Sequence, residues 1–335
     1  MARSELSRAR RYSVADGDTK STGAPAPAER VSEAHLPIAG IVLVGLLALI
    51  WGLNWPAMRA AVVEISPWSF RAICLTVASI VLFAISFAGG GRMRVSRREI
   101  GPLLLVAFLN VTAWHLLTAF GLSMMASTRG ILLGFTFPVW SVLIGTVVLR
   151  ERLTRGRVAA LVLGVGAMAI LLGPEFGRVG GAPLGGMLLI GAAIVWALAT
   201  IALKMFHWTL ASRELAAWQV LIGGAPIVIG AFFFGTPTDF GALSTKAIVG
   251  LVYSSVIAAS IGQWVWFQIL RLMPAAVASI STLTIPVVGV FTGGLVLGEP
   301  VGWRELSALA LVLGALSIIL IGGRGLDALR RAIGR

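Results

Sequence analysis

Residues 125–173 read MASTRGILLGFTFPVWSVLIGTVVLRERLTRGRVAALVLGVGAMAILLG. An apolar run is broken at Thr136-Phe137-Pro138 and closes at Val148-Leu149-Arg150-Glu151. A second apolar run follows. The same text returns 148 residues later as Thr284-Ile285-Pro286, then Val296-Leu297-Gly298-Glu299, then another apolar run. Without a gap, 16 of 49 positions match between 125–173 and 273–321. Thr, Pro, Gly145/Gly293 and Glu recur at fixed spacing, so the chain reads as two copies of one unit.

Hydrophobic residues make up 58% of the 335 and charged residues 12%. Soluble domains carry roughly 25% charge. The solvent for this surface is therefore a bilayer. The net charge of +13 would suit nucleic acid, but the basic residues sit in tails and short loops between apolar runs, the positive-inside pattern. No nucleic-acid partner is expected. One cysteine, Cys74, and three scattered histidines, His35, His115 and His207, exclude a disulfide framework and predict neither a metal site nor a cofactor.

Residues 1–35 are polar, basic and aperiodic, and predict a disordered tail. Ten apolar segments of about 20 residues follow, the length that crosses roughly 30 Å of hydrocarbon. They are placed near 37–60, 67–88, 99–121, 126–149, 155–172, 184–206, 213–234, 246–270, 275–297 and 303–322. The tails and alternate loops hold 21 of the 27 basic residues, so both termini are expected in the cytoplasm, with 323–335 a basic tail. Five segments separate equivalent positions, an odd number. The second copy must then enter the membrane from the opposite side. The expected architecture is all-α and polytopic, with ten transmembrane helices in two inverted five-helix repeats, 36–173 and 184–322. Inverted repeats of this kind are the signature of a secondary transporter.

The chemistry-bearing residues cluster in a few segments. Trp51, Asn54 and Trp55 share one helix face at i, i+3 and i+4, and the second copy answers with Trp196 and Thr200. The third segment carries Asn110, Trp114, His115 and Thr118. The eighth carries Tyr253, Gln263, Trp264, Trp266 and Gln268. At the 148-residue spacing His115 meets Gln263 and Thr118 meets Trp266. The reading assigns Trp51, Asn54, Trp55, Trp114, His115, Thr118, Trp196, Gln263 and Trp266 to a substrate cavity, against the plainer reading of helix packing or interhelical hydrogen bonds. Arg71 and Arg129 could meet a substrate anion at the outer mouth, although a long cation near a helix end ordinarily snorkels to the headgroups. Pro138 and Pro286 interrupt their helices and are candidate hinges. Glu151 and Glu299 end helices on the negative side of the dipole. They are expected to accept from the next helix or a nearby Arg, a structural role. All fourteen carboxylates fall in tails, loops or helix ends, which leaves His115 as the ordinary candidate for carrying a proton.

The runs LIWGLNWPAMRAAV (49–62), ISPWSFRAICL (65–75), GLSMMASTRGILLGFTFPVWSVLIGTVVLRERLT (121–154) and GVGAMAILLG (164–173) together resemble the EamA-type family of the drug/metabolite transporter superfamily. The likeness covers about 38–322. It implies a bacterial inner-membrane protein, monomeric or homodimeric, whose two bundles enclose a central cavity. The implied activity is export of amino acids, other metabolites or amphiphilic toxins. The abundance of Trp makes the chain similar to the family's amino-acid and aromatic-compound exporters. Lipophilic cations are the runner-up cargo. A membrane enzyme is disfavoured because no nucleophile with an acid/base pair or metal set is in view.

Overall fold

The computed structural model describes residues 38–148, 154–176, 184–272 and 284–321. The described residues are helical throughout their regular structure. The helices are α1 (Ile38–Val62), α2 (Pro67–Ala88), α3 (Ile100–Ala107, Phe108–Ala113 and Trp114–Met124), α4 (Ser127–Gly134 and Phe137–Val148) and α5 (Arg155–Phe176). The second copy supplies α6 (Leu184–Met205), α7 (Ser212–Phe234), α8 (Thr245–Val252, Tyr253–Ile261 and Gly262–Leu272), α9 (Thr284–Leu297) and α10 (Trp303–Ile321).

Among the described residues, eight helices are long and apolar enough to cross a membrane, α1 to α8. The ninth expected segment, 275–297, is represented by the shorter apolar helix Thr284–Leu297, because 273–283 lie outside the described residues. The boundary expected near 122–125 falls a little later. Helix α3 runs to Met124, whose successor Met125 is extended, and α4 starts at Ser127.

Local sequence explains several ends. Pro67 opens α2, where its missing N–H is not needed, and the Ser66 side chain accepts from Ser69 N at 3.1 Å. Gly90, at φ 67°, turns the chain after α2. The helices show large apolar side chains outward, with Phe232 and Leu295 both 84% exposed. Their inner faces carry small residues such as Ala61, Ala119, Ala192, Ala217 and Ala308, each fully buried. Small residues let helices approach closely where lipid offers no hydrophobic drive for association.

The packing pairs follow the repeat. Helix α2 packs on α7, and α5 on α10. Helix α1 packs on α8 and α9, and α6 packs on α3 and α4. The middle of α8 meets α2, as the middle of α3 meets α7. Exchanging the two copies turns each pairing into itself or into another of the set.

Two departures from plain α-helix have the same symmetry. Phe108–Ala113 in α3 and Tyr253–Ile261 in α8 are π-helical. At the 148-residue spacing the first maps onto 256–261, inside the second. The π-helix is rare and occurs mostly as short insertions at functional positions. Hydropathy is blind to it, because adding a residue to a turn leaves composition unchanged.

Candidate functional site

The break in α4 positions the site. The helix stops at Gly134, and Phe135 and Thr136 form a turn before the second half starts at Phe137. Pro138 cannot donate a backbone bond to the first half. Thr136, 1% exposed, donates its hydroxyl to Leu133 O at 2.6 Å and takes up a carbonyl freed by the break. Pro286 lies in described α9, and the residues before Thr284 lie outside the described residues.

Aromatic rings surround this break. Trp55 lies 6.4 Å from Phe135 between ring centroids, Phe135 lies 6.2 Å from Phe137, and Phe137 lies 5.9 Å from Trp196. Trp196 meets Trp114 edge-on at 4.5 Å. The series thus runs through α1, α4, α6 and α3. A Cβ at Gly134 would stand 2.7 Å from the Trp55 ring and 3.7 Å from that of Trp114, so the missing Cβ lets the Trp55 ring reach the break. A second pair, Trp51 and Trp266, lies 6.0 Å apart, and Trp51 Nε1 donates to Ala258 O in the π-helical part of α8 at 3.3 Å.

Among the described residues, Asn54 Oδ1, between Trp51 and Trp55 in sequence, and His115 Nδ1, next to Trp114, are buried without a hydrogen-bond partner, as are Thr128 Oγ1, Trp140 Nε1 and Ser254 Oγ on the same helices. A buried acceptor left unmade costs about 1–3 kcal/mol, and such groups in a folded protein call for an explanation. Gln263 is half-buried on α8.

Other expected residues do different work. Thr118 is 1% exposed and fully engaged, donating to Trp114 O at 2.8 Å and accepting from Arg71 Nη2 at 2.9 Å. Arg71 does not snorkel. It is 5% exposed and turns inward, giving Nε to His115 O at 3.0 Å, with Nη2 2.6 Å from Met58 Sδ. Thr118 and the His115 carbonyl compensate its burial, and no carboxylate bonds it among the described residues. Arg129 pairs with Glu305 of α10 at 2.9 Å, so it is already committed to a carboxylate. Asn110 donates to Gln219 Oε1 at 3.0 Å and Thr112 to Gly223 O at 2.6 Å, which fastens α3 to α7. Trp264 is 42% exposed and faces away from the bundle.

Glu151 lies outside the described residues. Glu299 accepts from Ser127 N at 2.7 Å, Ser127 Oγ at 2.9 Å and Thr128 N at 2.8 Å. These donors belong to the start of α4, not to α10 and not to an arginine as expected. The reason is local: Ala126 precedes α4 and offers no side-chain cap, so the orphan N–H groups take a carboxylate from the other copy. Helix α10 meets its own need, with Glu305 accepting from Gly302 N at 2.9 Å.

Two more loop carboxylates also cross between copies. Glu64 accepts from Ser244 N at 2.8 Å and from Ser244 Oγ. Glu99 accepts from Thr209 N and, at 2.9 Å, from Thr209 Oγ1. The Ser244 and Thr209 donors hold both carboxyls below the usual carboxylate range. Sequence reading missed Phe135, Phe137 and these crossing contacts. The Phe residues carried a signal in flanking Thr136 at the break; the crossing contacts carried none.

The model of the EamA-like transporter family matches residues 38–173 and again 183–322. Uncharacterized transporter YoaV of Bacillus subtilis is 23% identical over 83% of this chain and 94% of its own. Uncharacterized transporter YvbV of the same organism is 27% identical over 83% and 90%. A probable amino-acid metabolite efflux pump of Escherichia coli is 25% identical over 84% and 95%. A solved crystal structure superposes with a TM-score of 0.60 at 17% identity, over 86% of this chain and 98% of that one, which shows a shared fold.

Proposed function

This chain belongs to the EamA-like transporter family, and on that premise we propose that it exports small amphiphilic metabolites, amino acids first among them, across a bacterial inner membrane. The observation that carries the substrate reading is the pair of buried polar atoms without a partner among the described residues, Asn54 Oδ1 and His115 Nδ1, each next in sequence to a tryptophan of the ring contacts. A ligand with N–H or hydroxyl donors and an apolar body would satisfy both kinds of surface. The name of the Escherichia coli relative, a probable amino-acid metabolite efflux pump, supports the same class. No carboxylate joins the aromatic series among the described residues, which favours amino acids over lipophilic cations.

The mechanism we infer is alternating access. The two repeats are taken as inverted and both termini as cytoplasmic, which puts α1's Val62 end and the start of α4 on the outer side. Trp51, Asn54, Trp55, Trp114, His115, Trp196, Gln263 and Trp266 would touch cargo. Arg71 and Thr118 would hold α2 against α3 beneath it. Bending at Phe135–Thr136 would part the rings. The chain moves its cargo unchanged, so it is a transporter and not an enzyme.

The test is counterflow in proteoliposomes preloaded with unlabelled amino acid. Labelled threonine, methionine, phenylalanine and tryptophan would be added outside. Accumulation of at least one is expected, blocked in Asn54→Leu. Failure of all four with correctly folded protein removes the amino-acid reading.

A further inference from the structure

Arg71 is the one charged side chain of α2, and it lies inside the bundle at 5% exposure. The helices that pack on α2 are α1, α3, α7 and the middle of α8. Helices α1, α3 and α8 carry no carboxylate. The one carboxylate of α7 is Glu214, whose Oε1 is 2.6 Å from Arg213 Nη2. It lies against Gly91, past the far end of α2, about 25 Å along the helix from Arg71. Glu64, in the link before α2, is engaged by Ser244. The guanidinium charge is therefore unbalanced among the described residues, although Nε and Nη2 have neutral acceptors. Burying an ion without a counter-charge is costly, and inside a membrane such a group marks a ligand path by default.

Packing does not demand the charge. At the 148-residue spacing the second copy has Gln219 in this place, equally buried and accepting from Asn110 at 3.0 Å. A neutral side chain holds the position in one copy and a cation holds it in the other. Arg71 also stands where the groups assigned to cargo converge. Its Nη2 is 2.6 Å from Met58 Sδ, and Asn54 lies one turn before Met58 on the same face of α1. Its Nε donates to the His115 carbonyl, and its other partner, Thr118, lies one turn after Trp114. The Trp55 and Trp114 rings both close on Gly134 of α4. Asn54, Trp114 and His115 each keep partial exposure, so interior space reaches them. Nη1 of Arg71 makes no hydrogen bond among the described residues.

We infer that Arg71 is the group that reads the carboxylate of the cargo. The α-carboxylate takes Nη1 and supplies the missing counter-charge. The ammonium donates to Asn54 Oδ1, a buried acceptor without a partner, and the side chain lies along the Trp55 and Trp114 rings. A fixed cation and a fixed acceptor on neighbouring helices complement the two ends of an amino acid. The inference rests on the export reading and deepens it, by naming the residue that tells an amino acid from an amine.

The full chain in lipid nanodiscs would be melted with rising concentrations of threonine, methionine, phenylalanine or tryptophan. Each would be set beside its primary amide, which keeps the ammonium and the side chain and lacks the negative charge. A ligand that binds the folded chain raises its melting temperature. At least one amino acid is expected to bind about tenfold or more tightly than its amide, the scale of one charge-assisted hydrogen bond. Arg71→Gln should bring that ratio to about one, and Arg71→Lys, which keeps the charge, should retain most of the preference. A merely structural Arg71 would weaken acid and amide alike and leave the ratio as it was, which overturns the inference. So does equal affinity of the parent for acid and amide, a comparison that still decides if Arg71→Gln does not fold. Absence of binding by all four amino acids overturns it too. Counterflow that succeeds while the ratio ignores Arg71 leaves the export reading standing without this site. A ratio that depends on Arg71 while counterflow fails sinks the export reading and keeps the site.

Discussion

Asn54 and His115 are the residues where function and stability pull apart. Each keeps a buried polar atom without a partner among the described residues, a cost without structural return. Replacing an unpartnered polar group by an apolar one of similar shape is neutral or stabilising. Asn54→Leu should therefore melt at or above the parent temperature while transport falls about tenfold or more, the worth of one strong hydrogen bond. Paired thermal unfolding and counterflow check this, and a fall in both would return Asn54 to a packing role. Arg71 predicts the opposite. Its Nε and Nη2 bonds reach His115 O and Thr118 Oγ1, so Arg71→Met should cost about 2–3 kcal/mol of stability. Unfolding titration in mixed micelles measures it, and an unchanged midpoint would mean that the clamp contributes nothing.

At the scale of the element, α4 is the part we propose to bend. Its N-terminus is held from α9 by Glu299, and its middle is broken at Phe135–Thr136. Glu299→Gln keeps the shape and removes the charge at a helix start, a change of about 0.5–2 kcal/mol. A lowered melting temperature with transport retained is expected. Pro138→Ala restores a donor at the break of α4 and should slow transport. Initial rates of the variant and the parent in proteoliposomes decide it, and an unchanged rate would remove the break as a hinge. The matched π-helical stretches of α3 and α8 are the other local softening, and both precede a candidate cargo residue, His115 or Gln263.

Across the whole molecule, the loops act as pins between copies. Glu64 reaches Ser244 and Glu99 reaches Thr209. A carboxyl held low in the folded state contributes stability that is present above its unfolded value, near 4.5, and is lost as pH falls through the folded value. Melting temperature should be level through neutrality and drop on acidification below about pH 4.5. The Glu64→Gln, Glu99→Gln double variant should flatten that drop. An unaltered acid limb in the double variant would assign the pH dependence elsewhere. The matched packing pairs, α1 on α9 with α6 on α4 and α3 on α7 with α8 on α2, give the two copies one symmetric set of contacts.

Sequence alone determined the solvent, the duplication and the helix positions. Apolar run length is set by bilayer thickness, and a duplicated gene leaves its spacing in the text at Thr136/Thr284, Pro138/Pro286 and Glu151/Glu299. It also placed Trp51, Asn54 and Trp55 on one face, because helical period is a local property. Only the tertiary structure decided what each polar group meets. Thr118 and Arg71 found each other, Arg129 found Glu305, and Glu299 found the uncapped start of α4. Those partners lie on different helices, from 47 to 176 residues apart, and a hydrogen bond reads distance in space, on which spacing along the chain is silent.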